Sequence, residues 1–195
     1  ALFDIGASGP FAGFVVAVPL LALGLSLSRL GPMPQHLDMF SLGRPLIYRA
    51  TQYALWGALP DGQVLYLHPV ARAAWFGLLA TALNLFPLAQ LDGGHVAYAV
   101  FGPRARWITI ATATAALGLT FISLSWVAWS IAMLVVLGVA GLQHPPTLED
   151  QLPLGRRRLV LAAAAVVVFV VCFTPAPVEP IEGLVPAAPA LTGRP

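Results

Sequence analysis

Lysine is absent from this 195-residue chain and cysteine occurs once, at Cys172. A lone cysteine inside an apolar run excludes an intrachain disulfide and a cysteine-built metal site. Charge of either sign is scarce: charged residues make up 9% of the sequence, against about 25% in ordinary soluble domains. So few charges cannot cover a water-facing surface of this size, which excludes a soluble enzyme. Apolar residues, at 58%, exclude a disordered chain. The first residues lack the basic stretch of a signal peptide. What remains is an integral membrane protein whose first partner is the lipid bilayer. The net charge of +2 comes from ten arginines scattered between apolar runs. That placement follows the positive-inside rule rather than a nucleic-acid footprint, so no nucleic-acid partner is expected.

A helix needs about 20 apolar residues to cross a hydrocarbon layer of about 30 Å. Uncharged runs of that order occupy Ile5–Ser28, Ala73–Leu91 and Leu159–Val178. A longer one, Trp107–Gln143, exceeds a single crossing and reads as two segments joined near Ser123-Leu-Ser125. The expectation is an all-α polytopic membrane protein with about five transmembrane helices, near 11–30, 70–91, 107–123, 126–142 and 159–174. They form one membrane-embedded domain over 1–178, followed by a flexible Pro-rich tail over 179–195. Residues 31–68 hold β-favouring pieces, Pro45–Tyr48 and Gln63–Leu67, around the turn Pro60-Asp61-Gly62, which predicts a small β-hairpin. Arg104, Arg106 and Arg156–Arg158 mark the cytoplasmic side, which leaves the tail extracytoplasmic; Arg44 and Arg49 oppose that orientation.

The segment over 70–91 is not a plain span. Asn84 places an amide in the apolar run, and Pro87 removes a backbone donor and disturbs the carbonyl of Leu83. Asp92 sets a carboxylate at the end of the run, and Gly93-Gly94 lets the backbone turn sharply. A carboxylate near the bilayer centre costs about 2.5–3.5 kcal/mol, less toward the interface, so it normally has a partner: an arginine, a proton or a metal ion. Non-helical backbone at that depth survives only against protein or a water-filled cavity. A helix broken around Pro87 with a carboxylate at its end therefore points to a wet internal site.

The spacing Asn-x-x-Pro-x-x-x-x-Asp-Gly, filled by Asn84, Pro87, Asp92 and Gly93, resembles the second signature of the site-2 protease family of intramembrane zinc metalloproteases. Asp4-Ile-Gly-Ala-Ser-Gly9-Pro10-Phe-Ala-Gly13 is similar to the Gly-Pro stretch opening that family's second core helix. His68-Pro69 with Ala74-Trp75-Phe-Gly77 is similar to the start of the third. His144-Pro-Pro, Pro153-Leu-Gly-Arg156 and Phe173-Thr-Pro-Ala-Pro177 resemble the C-terminal part of the subgroup without a PDZ domain. The resemblance implies that Asp92 is a Zn2+ ligand, that Asn84 and Pro87 face the substrate, and that Gly9, Pro10, Gly93 and Gly94 shape the backbone. It implies substrates that are transmembrane segments of membrane proteins, cleaved at a site toward the cytoplasmic face. It also implies a His-Glu-x-x-His helix ahead of the Gly-Pro stretch, supplying two more ligands and the general base. These 195 residues do not contain that motif. The chain, which opens at Ala1, is expected to be the C-terminal portion of such an enzyme and inactive alone.

Plainer readings stand beside these. Asp92 can cap a helix or pair with Arg104 or Arg106, and Asn84 can hydrogen-bond across helices. His68 falls at the opposite membrane face from Asp92, and His95 suits a loop hydrogen bond beside it. His36 and His144 read as loop residues, and Glu149-Asp150 as a solvated cluster. Two other function classes fit the same chain: a catalytically inactive homologue acting as a membrane scaffold or binding subunit, and a small transporter using Asp92 as its ion site.

Overall fold

Small residues recurring on one face of the first helix organise the molecule. The computed structural model describes residues 2–32, 40–88, 90–141 and 154–180. The chain is mostly helical, and α1 (Leu2–Ser26) is the one helix among the described residues long and apolar enough to cross a membrane. It starts at Leu2 rather than near residue 11 because packing extends it. Phe3 and Ala7 are buried against Val96 and Ala162 of later helices. Pro10 and Pro19 lie inside α1, each removing one backbone donor from its ladder.

After α1 come β1 (Arg29–Pro32), β2 (Phe40–Leu42), α2 (Leu46–Trp56), β3 (Gln63–Tyr66) and α3 (Pro69–Asn84). Then follow α4 (Asp92–Phe101), a 3-10 turn over Gly102–Arg104, α5 (Ala105–Leu119), α6 (Ser125–Ala140), α7 (Arg156–Cys172) and β4 (Val178–Pro180). Among the described residues, four short strands qualify the all-α expectation. The hairpin predicted within 31–68 does not form from the pieces expected. Pro45–Tyr48 instead opens α2, with Pro45 supplying the fixed φ that suits a helix start. Gln63–Tyr66 is a strand, but its antiparallel partner is β1 at the end of α1, Arg29 facing Tyr66 and Pro32 facing Gln63. The second ladder joins β2 to β4, Phe40 opposite Pro180. Residues of the expected tail beyond 180 lie outside the described residues.

Helices α1 and α3 run antiparallel at close range. Gly24 sits directly on the backbone of Ala71. Further along, the space a Cβ on Gly77 would take is 3.6 Å from Ala17 Cβ, and that of Gly13 is 2.9 Å from Thr81 Oγ1. Small side chains at such helical intervals let two backbones approach, the usual seam between helices in an apolar medium. Leu21, Leu25, Trp75 and Leu78 fill this interface, and Ala165, Val168 and Cys172 of α7 close it. A second cluster forms around Phe86, whose ring meets Trp126, Phe169 and Phe173 edge-on at centroid distances of 5.9, 5.1 and 6.0 Å.

The end of the bundle where α1 finishes is tied by polar contacts. His68 caps α3 through Nδ1, which accepts from the Val70 N–H, and its own N–H donates to Ser28 Oγ at 3.0 Å. Indole N–H groups of Trp75 and Trp126 donate to the carbonyls of Gly43 (2.7 Å) and Pro175 (2.6 Å), and the Gly43 N–H donates to Pro177 O. At the other end the Arg158 guanidinium forks onto the Asp4 carboxylate, joining the starts of α1 and α7.

Candidate metal and substrate site

The segment expected to span 70–91 stops as a helix at Asn84, three residues ahead of Pro87. The reason is local: the residue before a proline is pushed out of the α region, and the proline has no N–H to donate. The chain then turns on Leu88 N–H to Phe86 O (2.7 Å) and Leu91 N–H to Leu88 O (2.9 Å), and restarts as α4 at Asp92. The break leaves main-chain groups to be satisfied elsewhere. The Pro87 carbonyl accepts from Thr109 Oγ1 of α5 at 3.2 Å. Gly93 is packed directly on the carbonyls of Leu85 and Phe86, so any side chain there would strike main chain.

Asp92 is therefore the first residue of a helix, half-buried, in the position where the helix dipole favours a carboxylate. Its Oδ2 faces α1: a Cβ on Gly9 would lie 3.3 Å from that oxygen. One turn earlier, a Cβ on Gly6 would lie 2.9 Å from the Asp92 carbonyl oxygen and 2.7 Å from His95 Cβ. Burial pushes the Asp92 carboxyl above the ordinary carboxylate range, with the charge of His95 pulling the other way. Neither Arg104 nor Arg106 forms an ion pair with it among the described residues, and Arg106 instead lies over the Trp107 ring at 5.0 Å.

The structure thus brings Asp92, Gly93, Gly94 and His95 onto the start of α4, against the face of α1 that carries Gly6 and Gly9. Pro10 is buried in the same turn of α1. Asn84 is exposed at the C-terminus of α3, and Pro87 is half-buried in the break between it and Asp92. His68 stands at the opposite end of α3 from this site. His36, His144, Glu149 and Asp150 lie outside the described residues. Gly6 escaped the sequence reading, although its spacing from Gly9 and Gly13 puts all three on one helical face. Thr109 carried no signal, since nothing local relates it to a carbonyl 22 residues away.

A catalytic zinc needs three protein ligands and an open fourth position. Among the described residues no group of three His, Cys, Asp or Glu side chains is placed to hold a metal. Asp92, with His95 beside it, supplies at most part of a zinc ligand set among the described residues.

Comparison with known proteins bears on the same residues. The model of peptidase family M50 matches residues 1–127, which takes in Gly9-Pro10 and the whole of Asn84–Gly94. The probable chloroplastic zinc metalloprotease EGY1 of Arabidopsis thaliana is 33% identical over 184 residues, 88% of this chain and 32% of the relative. The probable chloroplastic zinc metalloprotease EGY2 of Oryza sativa subsp. indica is 34% identical over 123 residues, 63% of this chain and 22% of the relative. The DDT domain-containing protein PTM of Arabidopsis thaliana is 38% identical over 109 residues, 52% of this chain and 6% of its own length. The chain spans at most about a third of the length of these relatives. No solved structure matches it significantly. With a family model covering Ala1 through Val127, more than half of its length, the chain belongs to peptidase family M50, the site-2 protease family.

Proposed function

We propose that this chain is the C-terminal part of an intramembrane zinc metalloprotease that cleaves peptide bonds within transmembrane segments of membrane-protein substrates. One observation carries the reading: the Asp92 carboxylate points at Gly9 of α1, so the two family-like motifs, 83 positions apart, meet at one place. In this reading Asp92 contributes one ligand to a Zn2+ ion. The other two ligands and the general base come from residues outside these 195. Asn84, exposed where α3 ends, offers its amide to the main chain of an unwound substrate, and Pro87 keeps that end of α3 open. Gly9, Pro10, Gly93 and Gly94 allow the close approach of α1 and α4.

In the same reading α1, α3, α5, α6 and α7 cross the bilayer and α4 does not. Helices of 15 to 17 residues reach only about 22–25 Å at 1.5 Å per residue. They need the flanking turns or a locally thinned bilayer to cross about 30 Å. Their ends alternate as five crossings require: Asp4 meets Arg158 at one end, Ser28 meets His68 and Trp126 meets Pro175 at the other. The site faces the cytoplasm and the chain's end lies across the membrane.

The test uses the complete protein, reconstituted in proteoliposomes with a tagged single-span reporter. Wild type is expected to cleave the reporter and carry about one zinc per chain; Asp92→Asn is expected to lose both. Retention of zinc and cleavage by Asp92→Asn would remove the ligand role. A wild-type protein that neither binds zinc nor cleaves any single-span substrate would leave the scaffold reading in place of the enzyme.

A further inference from the structure

Among the described residues four helical threonines hydrogen-bond through their hydroxyls, and they do not behave alike. Thr51, Thr81 and Thr114 each donate to the carbonyl four residues earlier in their own helix, at 2.8 to 2.9 Å. That is the default for a threonine in a helix, where the hydroxyl competes for the local carbonyl. Thr109 of α5 instead donates across to Pro87 O at 3.2 Å, and its side chain is 5% exposed. The acceptor is the carbonyl of the residue that breaks the 70–91 segment. Pro87 has no N–H of its own, and Leu88 and Leu91 take up the turn's remaining bonds within the break. Thr109 therefore ties the middle of the break to a helix that is otherwise continuous.

We propose that Thr109 is a positioning residue that holds the Pro87 turn and so fixes where Asp92 stands against Gly9; the catalytic consequence rests on the protease reading above. The chain of contacts is short. Pro87 O is held by Thr109, Leu91 is held by Leu88, and His95 N–H donates to Leu91 O, which begins α4 with Asp92 in its first turn. On the other side, Gly93 on the carbonyls of Leu85 and Phe86 fixes the start of α4 to the end of α3. Releasing Pro87 O leaves the carbonyl of a half-buried residue without its partner and frees the turn, while α5 keeps its own ladder. The effect falls on geometry at Asp92, not on substrate affinity.

The experiment compares Thr109→Val, which keeps the shape and loses the donor, with Thr109→Ser, which keeps the donor. Both are made in the complete protein, reconstituted in bilayer nanodiscs. Thr109→Val is expected to lower kcat about 3- to 10-fold with KM unchanged, the range one ordinary hydrogen bond spans. It is also expected to speed backbone amide exchange at residues 90–95 while exchange in α1 and α6 stays as in wild type; Thr109→Ser restores both. Unchanged kcat and unchanged exchange at 90–95 in Thr109→Val would overturn the proposal. So would faster exchange spread over the whole bundle, which marks a packing residue. If wild type has no cleavage activity, the protease reading fails by itself, and the local exchange comparison still decides whether Thr109 holds the turn.

Discussion

Gly9 and Gly93 flank the same carboxylate, yet a methyl group added at each meets different matter. At Gly93 it would collide with the main chain at Leu85 and Phe86, which neither rotates nor yields cheaply. At Gly9 it would come to 3.3 Å from Asp92 Oδ2, the free end of a side chain that can swing away. Overpacking against backbone costs about 1–3 kcal/mol. Replacing glycine by alanine inside a helix gains up to about 1 kcal/mol. Gly93→Ala is therefore expected to lower the thermal midpoint of the protein in detergent, while Gly9→Ala leaves it level or slightly raised. On the protease reading, Gly9→Ala in the complete protein is nevertheless expected to lower cleavage, because the displaced group is the carboxylate itself. Equal loss of stability in the two variants would show that the Asp92 side chain is held too firmly to move.

At the level of elements, hydropathy placed the apolar helices but not their ends. Asn84, Pro87 and Asp92 were legible because each violates the chemistry of an ordinary span, and the helix does stop at Asn84. The extension of α1 back to Leu2 was not, since it depends on Val96 and Ala162, far away in sequence. Helix α2 was obscured because its three β-favouring opening residues outweigh an 11-residue pattern that packs only Tyr48 deeply. The ladders were hidden for the same reason: β1 pairs across more than thirty residues and β2 across more than a hundred. Closing such distances is a tertiary event with no local signature. The segment after α7 shows what holds it. Trp126 packs its indole on Phe86 and Phe173 and donates its N–H to Pro175 O at 2.6 Å. Trp126→Phe keeps most of the ring contact and removes the donor from the carbonyl of Pro175, an exposed residue, a loss of about 0.5–1.5 kcal/mol. The expected result is a lower thermal midpoint and faster proteolysis within 173–180. A variant as stable and as resistant as wild type would assign the segment's order to the β2–β4 ladder alone.

For the whole molecule, charge decides less than contact does. Arg104, Arg106 and Arg156–Arg158 gather at the end that carries Asp92, but Arg29, Arg44, Arg49 and Arg72 stand with the opposite end, a ratio of five to four. The positive-inside rule draws on a clear excess and has little to work with here. The bidentate Arg158–Asp4 pair is exposed, with half of each side chain in solvent, so it registers the helix starts without fixing the bundle strongly. What distinguishes five crossings from a single one is the alternation of ends, and labelling from one side of a sealed membrane reads it directly. In a Cys172→Ala background, single cysteines at Gln90 and Gly155 should react with an impermeant maleimide from one face, and one at Ala58 from the other. All three positions are exposed and uncharged, so the substitutions leave the arginine balance as it stands. If Gln90 and Ala58 label from the same face, α3 does not cross, and α1 is left as the one helix of spanning length among those described. If they label from opposite faces with Gln90 toward the cytoplasm, Asp92 lies at the depth and side where a cytoplasm-facing peptidase needs its ligand.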